Sequence, residues 1–324
     1  MKYECSNESQ SSTFTLKNYK ELTDEQKYLV SNEYKEKCLS ILSASDLVDI
    51  ILLGPTLELE PSNKNTPFIL KNLKLNPHLN LTFTRDQQIV TNNGLVICNM
   101  GSEQRKQETE IMKHVFKKLN YKIIGEIKEP GTVEGGDFFA GGNDLCFIGE
   151  GLRTNMNGIE QMFDQDLFGT RRVAVVHDKY DLNQQRMHLD TVFNICSRNS
   201  CVMLETIMGE SSKLKRTVTE YVRNKYTNEY DISRENIEFS KYVSDEGYKI
   251  IKATNEQQEK YGINFLNLGD SNLITVDEST SRSLIKSKMI KGNIDLIDYN
   301  AFVKMYGSVH CCSQVLSREC NYDD

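Results

Sequence analysis

The stretch QRMHLDTVFNIC, residues 185–196, places a histidine and an aspartate two positions apart in an otherwise apolar run. The alternation of polar and apolar residues predicts a strand, in which His188 and Asp190 lie on the same face. Such a strand either exposes both side chains to solvent or directs both at a charged group. The rest of the chain is needed to choose between these two interpretations.

A supersecondary pattern recurs along the chain. A short run ending in aspartate is followed by an apolar run, a polar helix and another strand. The aspartates that end the first three copies, Asp86, Asp137 and Asp190, stand 51 and 53 residues apart. These copies begin with LTFTRD, TVEGGD and MHLD, and their predicted helices are EQRKQETEIMKHVFKKLN, NGIEQMFDQDLF and SKLKRTVTEYVRNKY. A looser fourth copy contains NFLNLGDSNLITVDE, and the piece around DIILLGP could complete a fifth.

Modules of strand, strand, helix and strand must stack to bury their apolar faces. If they close into a ring, residues at equivalent positions converge on its axis. We therefore expect His188, Asp137 and Asp190 to face a common centre. The alternative is that the aspartates are ordinary turn formers at strand ends, and for Asp86 this alternative is equally open.

The composition limits the possible partners. The chain has 324 residues, of which 38% are hydrophobic, with a net charge of −7 and a pI near 5.5. An acidic chain lacks the basic face that nucleic acid requires, so we expect no nucleic-acid partner. The longest apolar run is too short to span a membrane, and nine cysteines without a CxxC pair fit free thiols in the cytoplasm. The five histidines form no zinc motif, so neither a metal nor an organic cofactor is predicted.

A candidate nucleophile lies near the C-terminus, in the run YGSVHCCSQVLSRE. A cysteine attacks as the thiolate, which a cationic neighbour such as His188 would favour. Asp137 and Asp190 would favour the protonated imidazole and attract a cationic substrate. We interpret the run as a strand, so that Cys311 faces the site and Cys312 faces the core. Together, these side chains suit attack on a positively charged carbon.

Five motifs in a fixed order, FTRD, EGGD, LRTN, MHLDT and GSVHCCSQVLSRE, resemble those of the guanidino-group-modifying enzymes. This superfamily includes arginine deiminases and amidinotransferases, and the resemblance covers residues 45–320. It implies one α/β domain over residues 1–324, with its first 40 or so residues peripheral. The implied fold is a five-bladed propeller of ββαβ modules, the pentein fold, with pseudo-fivefold symmetry and a central active site.

The resemblance also implies a role for each matching residue. Cys311 matches the nucleophile, and His188 matches the general acid and base. Asp137 and Asp190 match the carboxylates that bind the guanidinium group. Further positions expected to contact substrate are Arg153, Asp86 and Asn155.

The implied reaction is arginine deiminase-like hydrolysis of arginine or a close derivative through a covalent thiouronium on cysteine. Two departures leave the substrate open. Only 50 residues separate Asp137 from His188, too few for the helical insertion typical of free-arginine deiminases, and His310 rather than arginine precedes the nucleophile. The alternatives are amidino transfer from arginine to an amine, double hydrolysis to ornithine and, outside the enzymes, a binding protein on the same scaffold. A small guanidino substrate such as L-arginine is the expected partner, and a homo-oligomer is left open.

Overall fold

The computed structural model describes residues 19–78, 80–142 and 144–317. The chain forms two compact units, residues 1–80 and 81–324. In the first unit, three helices precede a two-stranded antiparallel sheet. Its elements are a 3-10 turn at Tyr19–Glu21, α1 (Asp24–Leu29), α2 (Asn32–Ser40), α3 (Ala44–Leu53), β1 (Thr56–Pro61) and β2 (Phe68–Lys74).

The DIILLGP piece belongs to the end of α3. The helix begins after Ser43, whose hydroxyl accepts the backbone N–H of Asp46, and it ends at Gly54, whose φ is 51°. The chain then enters β1, which pairs with β2 alone. Leu22 forms the small apolar core of this unit with Val30, Leu59 and Phe68.

Four modules of one topology make up most of the second unit among the described residues. In each, two antiparallel strands are followed by a crossover that contains a helix, and a third strand returns parallel to the second. The first comprises β3 (Gln88–Thr91), β4 (Gly94–Ile97), α4 (Lys106–Lys118) and β5 (Ile123–Glu126). The second comprises β6 (Phe138–Gly142), β7 (Leu145–Glu150), α5 (Met156–Asp164) and β8 (Arg172–His177).

The third module contains an inserted hairpin. Its elements are β9 (Phe193–Ser197), β10 (Ser200–Leu204), the hairpin strands β11 (Thr217–Arg223) and β12 (Tyr230–Glu238), then α6 (Phe239–Asp245) and β13 (Lys249–Ala253). After α7 (Asn255–Glu259), the fourth module comprises β14 (Leu266–Gly269), β15 (Asn272–Thr275), α8 (Glu278–Ser287) and β16 (Ile294–Leu296), and α9 (Asn300–Val303) follows. Short 3-10 turns lie at Glu103–Arg105, Gly135–Asp137, Gln184–Arg186, Leu189–Thr191 and Glu205–Ile207.

An aromatic core joins the second and third modules. Phe147 on β7, Phe193 on β9 and Phe239 on α6 are fully buried. Their ring centroids lie 5.0–6.3 Å apart in tilted or edge-on arrangements, the geometry that aromatic pairs prefer. This packing holds the first strand of the third module, and the turn that precedes it, against the second module.

The helix predicted for SKLKRTVTEYVRNKY is wrong, because the middle of this segment, Thr217–Arg223, forms strand β11. Alternating Thr, Val and Tyr residues favour an extended chain, and β11 pairs antiparallel with β8, from Thr217 opposite His177 to Val222 opposite Arg172. The hairpin therefore extends the second module's sheet to five strands. The helix of the third module is instead α6, which follows the hairpin.

A buried ionic network fixes this hairpin. The two Glu220 carboxylate oxygens accept hydrogen bonds of 2.6 Å from Arg172 Nε on β8 and Arg234 Nε on β12. Arg172 also makes two bonds of 2.7 Å to Glu246, which follows α6. The Arg234 guanidinium lies 4.5 Å over the Tyr242 ring, in cation–π geometry. The network thus connects the insertion to both neighbouring modules.

The strand predicted for residues 185–196 is correct only in its second half. Residues 188–191 form a 3-10 turn that His188 caps, and β9 begins at Phe193. Among the described residues, no helix is long and apolar enough to cross a membrane. The single domain, the cytoplasmic location and the homo-oligomer stay predictions.

We predict that Glu220→Gln lowers the free energy of unfolding by about 1–2 kcal/mol, because it removes the charge of a buried carboxylate that Arg172 and Arg234 share and leaves Glu246 as their common partner. Chemical denaturation measures this change. The control Arg282→Gln, which breaks an exposed pair with Glu278 on α8, should cost about 0.5 kcal/mol or less. Equal losses in the two variants would contradict the role assigned to the network.

Candidate active site

Four buried polar residues occupy equivalent places in the four modules. Asp86, Asp137, Asp190 and Asn264 each stand one to three residues before the first strand of a module. The three aspartates are those of the sequence repeat. Asn264 was not predicted, although it precedes β14 by the same two residues by which Asp86 precedes β3. That spacing is the signal by which it could have been found.

Cys311 lies beside two of these residues. Its Sγ is 3.2 Å from Asn264 Oδ1 and 3.9 Å from Asp190 Oδ2, and its backbone N–H donates to Asn264 Oδ1. The strand predicted here is wrong, because residues 308–312 form a turn in which the Cys312 N–H donates to the Ser308 carbonyl at 3.0 Å. The turn nevertheless brings the predicted nucleophile to the predicted carboxylate.

The thiol of Cys311 is held in its neutral form. Burial, followed by the negative charges of Asp190 and Asp86, raises the pKa of Cys311 well above its ordinary value. A thiolate at this position therefore requires additional positive charge. A cationic ligand beside Asp190 would supply it.

His188 is an ion-paired histidine. Its Nε2 lies 2.7 Å from Glu134 Oε2, and its Nδ1 lies 3.9 Å from Asp86 Oδ1. Burial alone would lower the pKa of His188, but the charges of Asp86, Asp137 and Glu134 and the hydrogen bond to Glu134 raise it to about 10. The imidazole is therefore protonated at neutral pH. Glu134 was not singled out from the sequence, although it is the first residue of the EGGD motif.

The two glycines of EGGD allow this close approach. A Cβ atom on Gly135 would lie 2.0 Å from the Arg85 carbonyl oxygen, and one on Gly136 would lie 2.8 Å from His188 Nδ1. Both positions consequently exclude larger residues. The backbone N–H of Gly136 also donates to Asp86 Oδ1 at 3.2 Å.

The carboxylate of Asp137 is already hydrogen-bonded by the protein. Oδ2 accepts the Thr154 hydroxyl at 2.6 Å, and Oδ1 accepts the backbone N–H of Leu189 at 2.8 Å. Burial raises the pKa of Asp137 to about 7, against the opposing effects of His188 and of these two hydrogen bonds. The geometry gives Asp137 a role in holding the turn between His188 and Asp190, and its direct contact with substrate stays a prediction.

Asp86 is paired with a buried arginine. Arg105 donates to Asp86 Oδ2 at 2.6 Å, to Glu108 Oε2 at 3.0 Å and to the Phe83 carbonyl at 3.1 Å. Burial raises the pKa of Asp86, but the charges of His188 and Arg105 and the hydrogen bonds from Arg105 and Gly136 lower it overall. Asp86 is therefore a charged member of the site.

Asp190 has one carboxylate oxygen to which the described residues donate no hydrogen bond. Its Oδ2 lies 2.8 Å from His310 Nδ1. Its Oδ1 is buried and has no hydrogen-bond donor in the part of the chain that the structure describes. A planar cation with several N–H donors fits such an acceptor.

Arg153 and Asn155, the other two residues predicted to contact substrate, lie at the edge of the buried polar cluster. Arg153 is partly buried, and its Nη1 lies 4.0 Å from Glu134 Oε1. The Asn155 side chain accepts N–H groups from Thr132 and Gly158 at 2.9 Å each and donates to the Pro130 carbonyl. These bonds make Asn155 the cap of α5, and its contact with substrate stays a prediction, as does that of Arg153.

One group of potential metal ligands falls within the site. Among the described residues, ligand atoms of Asp86, Glu134 and His188 lie within 4.8 Å of one another. Arg105 already bonds Asp86, and His188 is protonated at neutral pH. A metal ion would have to displace both positive charges, so the donor set fits a hydrogen-bonded ionic cluster better than a metal centre.

Comparison with known proteins shows the family to which the chain belongs. The family model for arginine deiminase matches residues 4–318. The chain is 26% identical to arginine deiminases of Staphylococcus aureus strains Newman and COL over 328 residues, which is 92% of this chain and 77% of each relative. The chain therefore belongs to the arginine deiminase family, which confirms the predicted resemblance and the class of guanidino-group hydrolase.

Solved structures support the fold at lower identity. One is the dimethylarginine dimethylaminohydrolase of Pseudomonas aeruginosa, with a TM-score of 0.52 at 23% identity over 71% of this chain and 74% of that chain. Another is the N-terminal domain of ArgZ, an arginine dihydrolase of cyanobacteria, with a TM-score of 0.55 at 16% identity over 74% and 76%. These likenesses confirm the mixed α/β fold class.

We predict that Asn264→Asp slows alkylation of Cys311 by iodoacetamide at least tenfold at pH 8. A carboxylate in place of the amide would bring a third negative charge against the sulfur and disfavour the thiolate by about 1.4 kcal/mol or more. Peptide mass spectrometry measures the rate at Cys311, and circular dichroism checks the fold. Unchanged alkylation in a folded variant would show that Asn264 does not control the thiol.

We predict that Glu134→Gln lowers the pKa of His188 clearly below its value of about 10, because one of the charges that raise it is removed. NMR titration of imidazole-labelled protein measures the shift. In the wild type, protonated His188 should stabilise the fold fully below pH ~6.5, and this contribution should be lost as the pH rises through about 10. An unchanged His188 titration in the variant would be incompatible with the pairing.

Proposed function

We propose that the protein hydrolyses the guanidino group of L-arginine or a close derivative through a covalent thiouronium on Cys311. The observation that carries the proposal is the position of the buried thiol beside Asp190, whose Oδ1 has no donor among the described residues. A guanidinium is the cation whose planar, multiple donors suit such an acceptor. Membership of the arginine deiminase family supports the same substrate class.

The carboxylates of Asp190 and Asp86 hold the guanidinium in this proposal. Asp190 Oδ1 accepts one N–H, and Asp86, beside His188, faces the opposite nitrogen. Asp137 acts beneath them by fixing the turn that carries His188 and Asp190. The substrate's charge offsets the negative potential that keeps Cys311 protonated, so binding promotes loss of the thiol proton.

The chemical steps follow from these positions. The thiolate adds to the central guanidino carbon, His188 protonates the leaving nitrogen, and the C–N bond breaks to release ammonia. The neutral His188 then takes a proton from water as its oxygen adds to the thiouronium carbon. The C–S bond then breaks to restore the thiolate, and the hydroxyl of the adduct loses its proton to solvent as the ureido C=O forms, while His188 stays protonated. With arginine, the sum is arginine and water giving citrulline and ammonia.

We also propose that the modules surround a pseudo-fivefold axis as a five-bladed propeller with this site on the axis. Asp190 of the third module and Asn264 of the fourth both contact Cys311, and Asp86 of the first lies 3.9 Å from His188 of the third, which supports convergence. The C-terminal turn is fastened to the first module by Arg85, whose N–H donates to the Cys311 carbonyl and whose Nε donates to the His310 carbonyl, each at 3.0 Å. Such a fastening supports ring closure.

Product analysis tests the reaction. We expect arginine to yield citrulline and one ammonia, identified by mass spectrometry, in the presence or absence of glycine. Ornithine with two ammonia molecules and carbon dioxide would indicate double hydrolysis, and a new guanidino compound with glycine would indicate amidino transfer. Absence of turnover of arginine, its N-methylated derivatives and agmatine would contradict the proposed function.

We predict that Cys311→Ser lowers kcat by at least ~1000-fold, whereas Cys312→Ser retains most activity. Cys311 is buried against Asp190 and Asn264, while Cys312 is only half-buried, and burial raises the pKa of its thiol against the opposing hydrogen bonds with Tyr299 and Thr82. Steady-state kinetics on both folded variants provides the comparison. Equal loss in the two variants would remove the assignment of the nucleophile.

A further inference from the structure

We infer that His310 is a positioning residue that fixes the Asp190 carboxylate for guanidinium binding. The inference rests on the proposed function, in which Asp190 receives the guanidinium. It assigns the residue before the nucleophile a task separate from that of His188. The two histidines would divide the work, with His188 transferring protons and His310 orienting a carboxylate.

The His310 ring is held in one orientation. Its Nδ1 lies 2.8 Å from Asp190 Oδ2, and its face stacks on Phe139 at 5.5 Å between centroids and 13° between planes. The residue is 7% exposed. Its backbone is anchored on both sides, because its N–H donates to the Asn264 carbonyl and its own carbonyl accepts Arg85 Nε. The ring is therefore a rigid support for the carboxylate.

The hydrogen bond is donated by a neutral imidazole. Burial and the positive charge of Arg85 lower the pKa of His310, despite the opposing effects of Asp190 and Asp86. Since a carboxylate only accepts hydrogen bonds, the contact assigns the proton to Nδ1. A neutral donor fixes Oδ2 without cancelling the charge of Asp190, which then remains available to the substrate.

The hydrogen bond from His310 to Oδ2 of Asp190 also determines the position of the other carboxylate oxygen, Oδ1. With Oδ2 anchored, rotation of the carboxylate is restricted, and Oδ1 keeps its buried position without a donor among the described residues. Loss of the anchor would let the carboxylate turn and would leave Oδ2 with only the long contact of 3.9 Å to the Cys311 thiol. Because His310 and Cys311 are adjacent in one turn, the same backbone sets the positions of the nucleophile and of the carboxylate support.

Two matched amides test the inference. In His310→Asn, the amide nitrogen can take the place of Nδ1, whereas in His310→Gln it reaches the place of Nε2. We expect His310→Gln to lower kcat/KM for arginine about tenfold to a hundredfold, and His310→Asn to stay within about threefold of the wild type. Equal loss in both variants would mean that His310 serves only packing, and wild-type kinetics in both would overturn the inference.

Binding measurements separate this inference from the proposed function. In a Cys311→Ser background, calorimetry with arginine should show weaker binding for His310→Gln, as for Asp190→Asn, and near-control binding for His310→Asn. If Asp190→Asn weakens binding but His310→Gln does not, only the positioning role fails. If Asp190→Asn binds arginine as tightly as its background does, the guanidinium site itself is misassigned. Circular dichroism and thermal melting confirm that each variant is folded.

Discussion

Four carboxylates, Asp86, Glu134, Asp137 and Asp190, are buried around a single site, and the cost of enclosing their charge constrains the surrounding residues. Each carboxylate has specific partners. Arg105 and His188 supply positive charge, and backbone N–H groups supply further hydrogen bonds. The cluster nevertheless keeps one acceptor, Asp190 Oδ1, without a donor among the described residues. In the proposed function, a bound guanidinium balances this charge, so that the charges that keep Cys311 neutral in the free protein would also select the substrate.

The scaffold brings these charges together because the polar residue of each module lies just before its first strand, where the chain can turn. The turns are then fastened by side chains rather than by sheet hydrogen bonds. Asn194 donates to the carbonyls of Ile263 and Phe265 and so holds Asn264 between them. Gln314 donates to the carbonyls of Arg85 and Gln88, which fixes the nucleophile turn to the first module.

Much of this site could be predicted from the sequence because the repeat places its residues. Cys311 lies beside Asp190, and His188 lies beside Asp86, whereas the approach of His188 to Cys311 stays a prediction. Local structure was less predictable: His188 and Cys311 lie in turns, since strand alternation alone cannot reveal where a chain bends to present a side chain. Strand β11 was mistaken for a helix because its pairing with β8 is a tertiary contact.

The partners that tune the site were harder to find. Glu134 and His310 each act on a residue far away in the sequence, and no spacing rule connects these pairs, whereas Asn264 is indicated only by its place before the fourth module. Their roles depend on burial, which decides whether a carboxylate or an imidazole is charged. The family resemblance supplied the catalytic set, whereas only the three-dimensional contacts supply its supporting residues.

Acid quenching during turnover tests the central claim most directly. The cationic thiouronium should lower the pKa of His188 from its value of about 10 in the free protein, so low pH should keep His188 protonated after ammonia leaves, slow hydrolysis of the intermediate and let the covalent adduct accumulate. Peptide mass spectrometry should then find the alkylthiouronium adduct, which is arginine minus ammonia, on the peptide that contains Cys311 and Cys312, and fragmentation should place it on Cys311. An adduct on another cysteine, or undiminished turnover after selective alkylation of Cys311, would contradict covalent catalysis at this site.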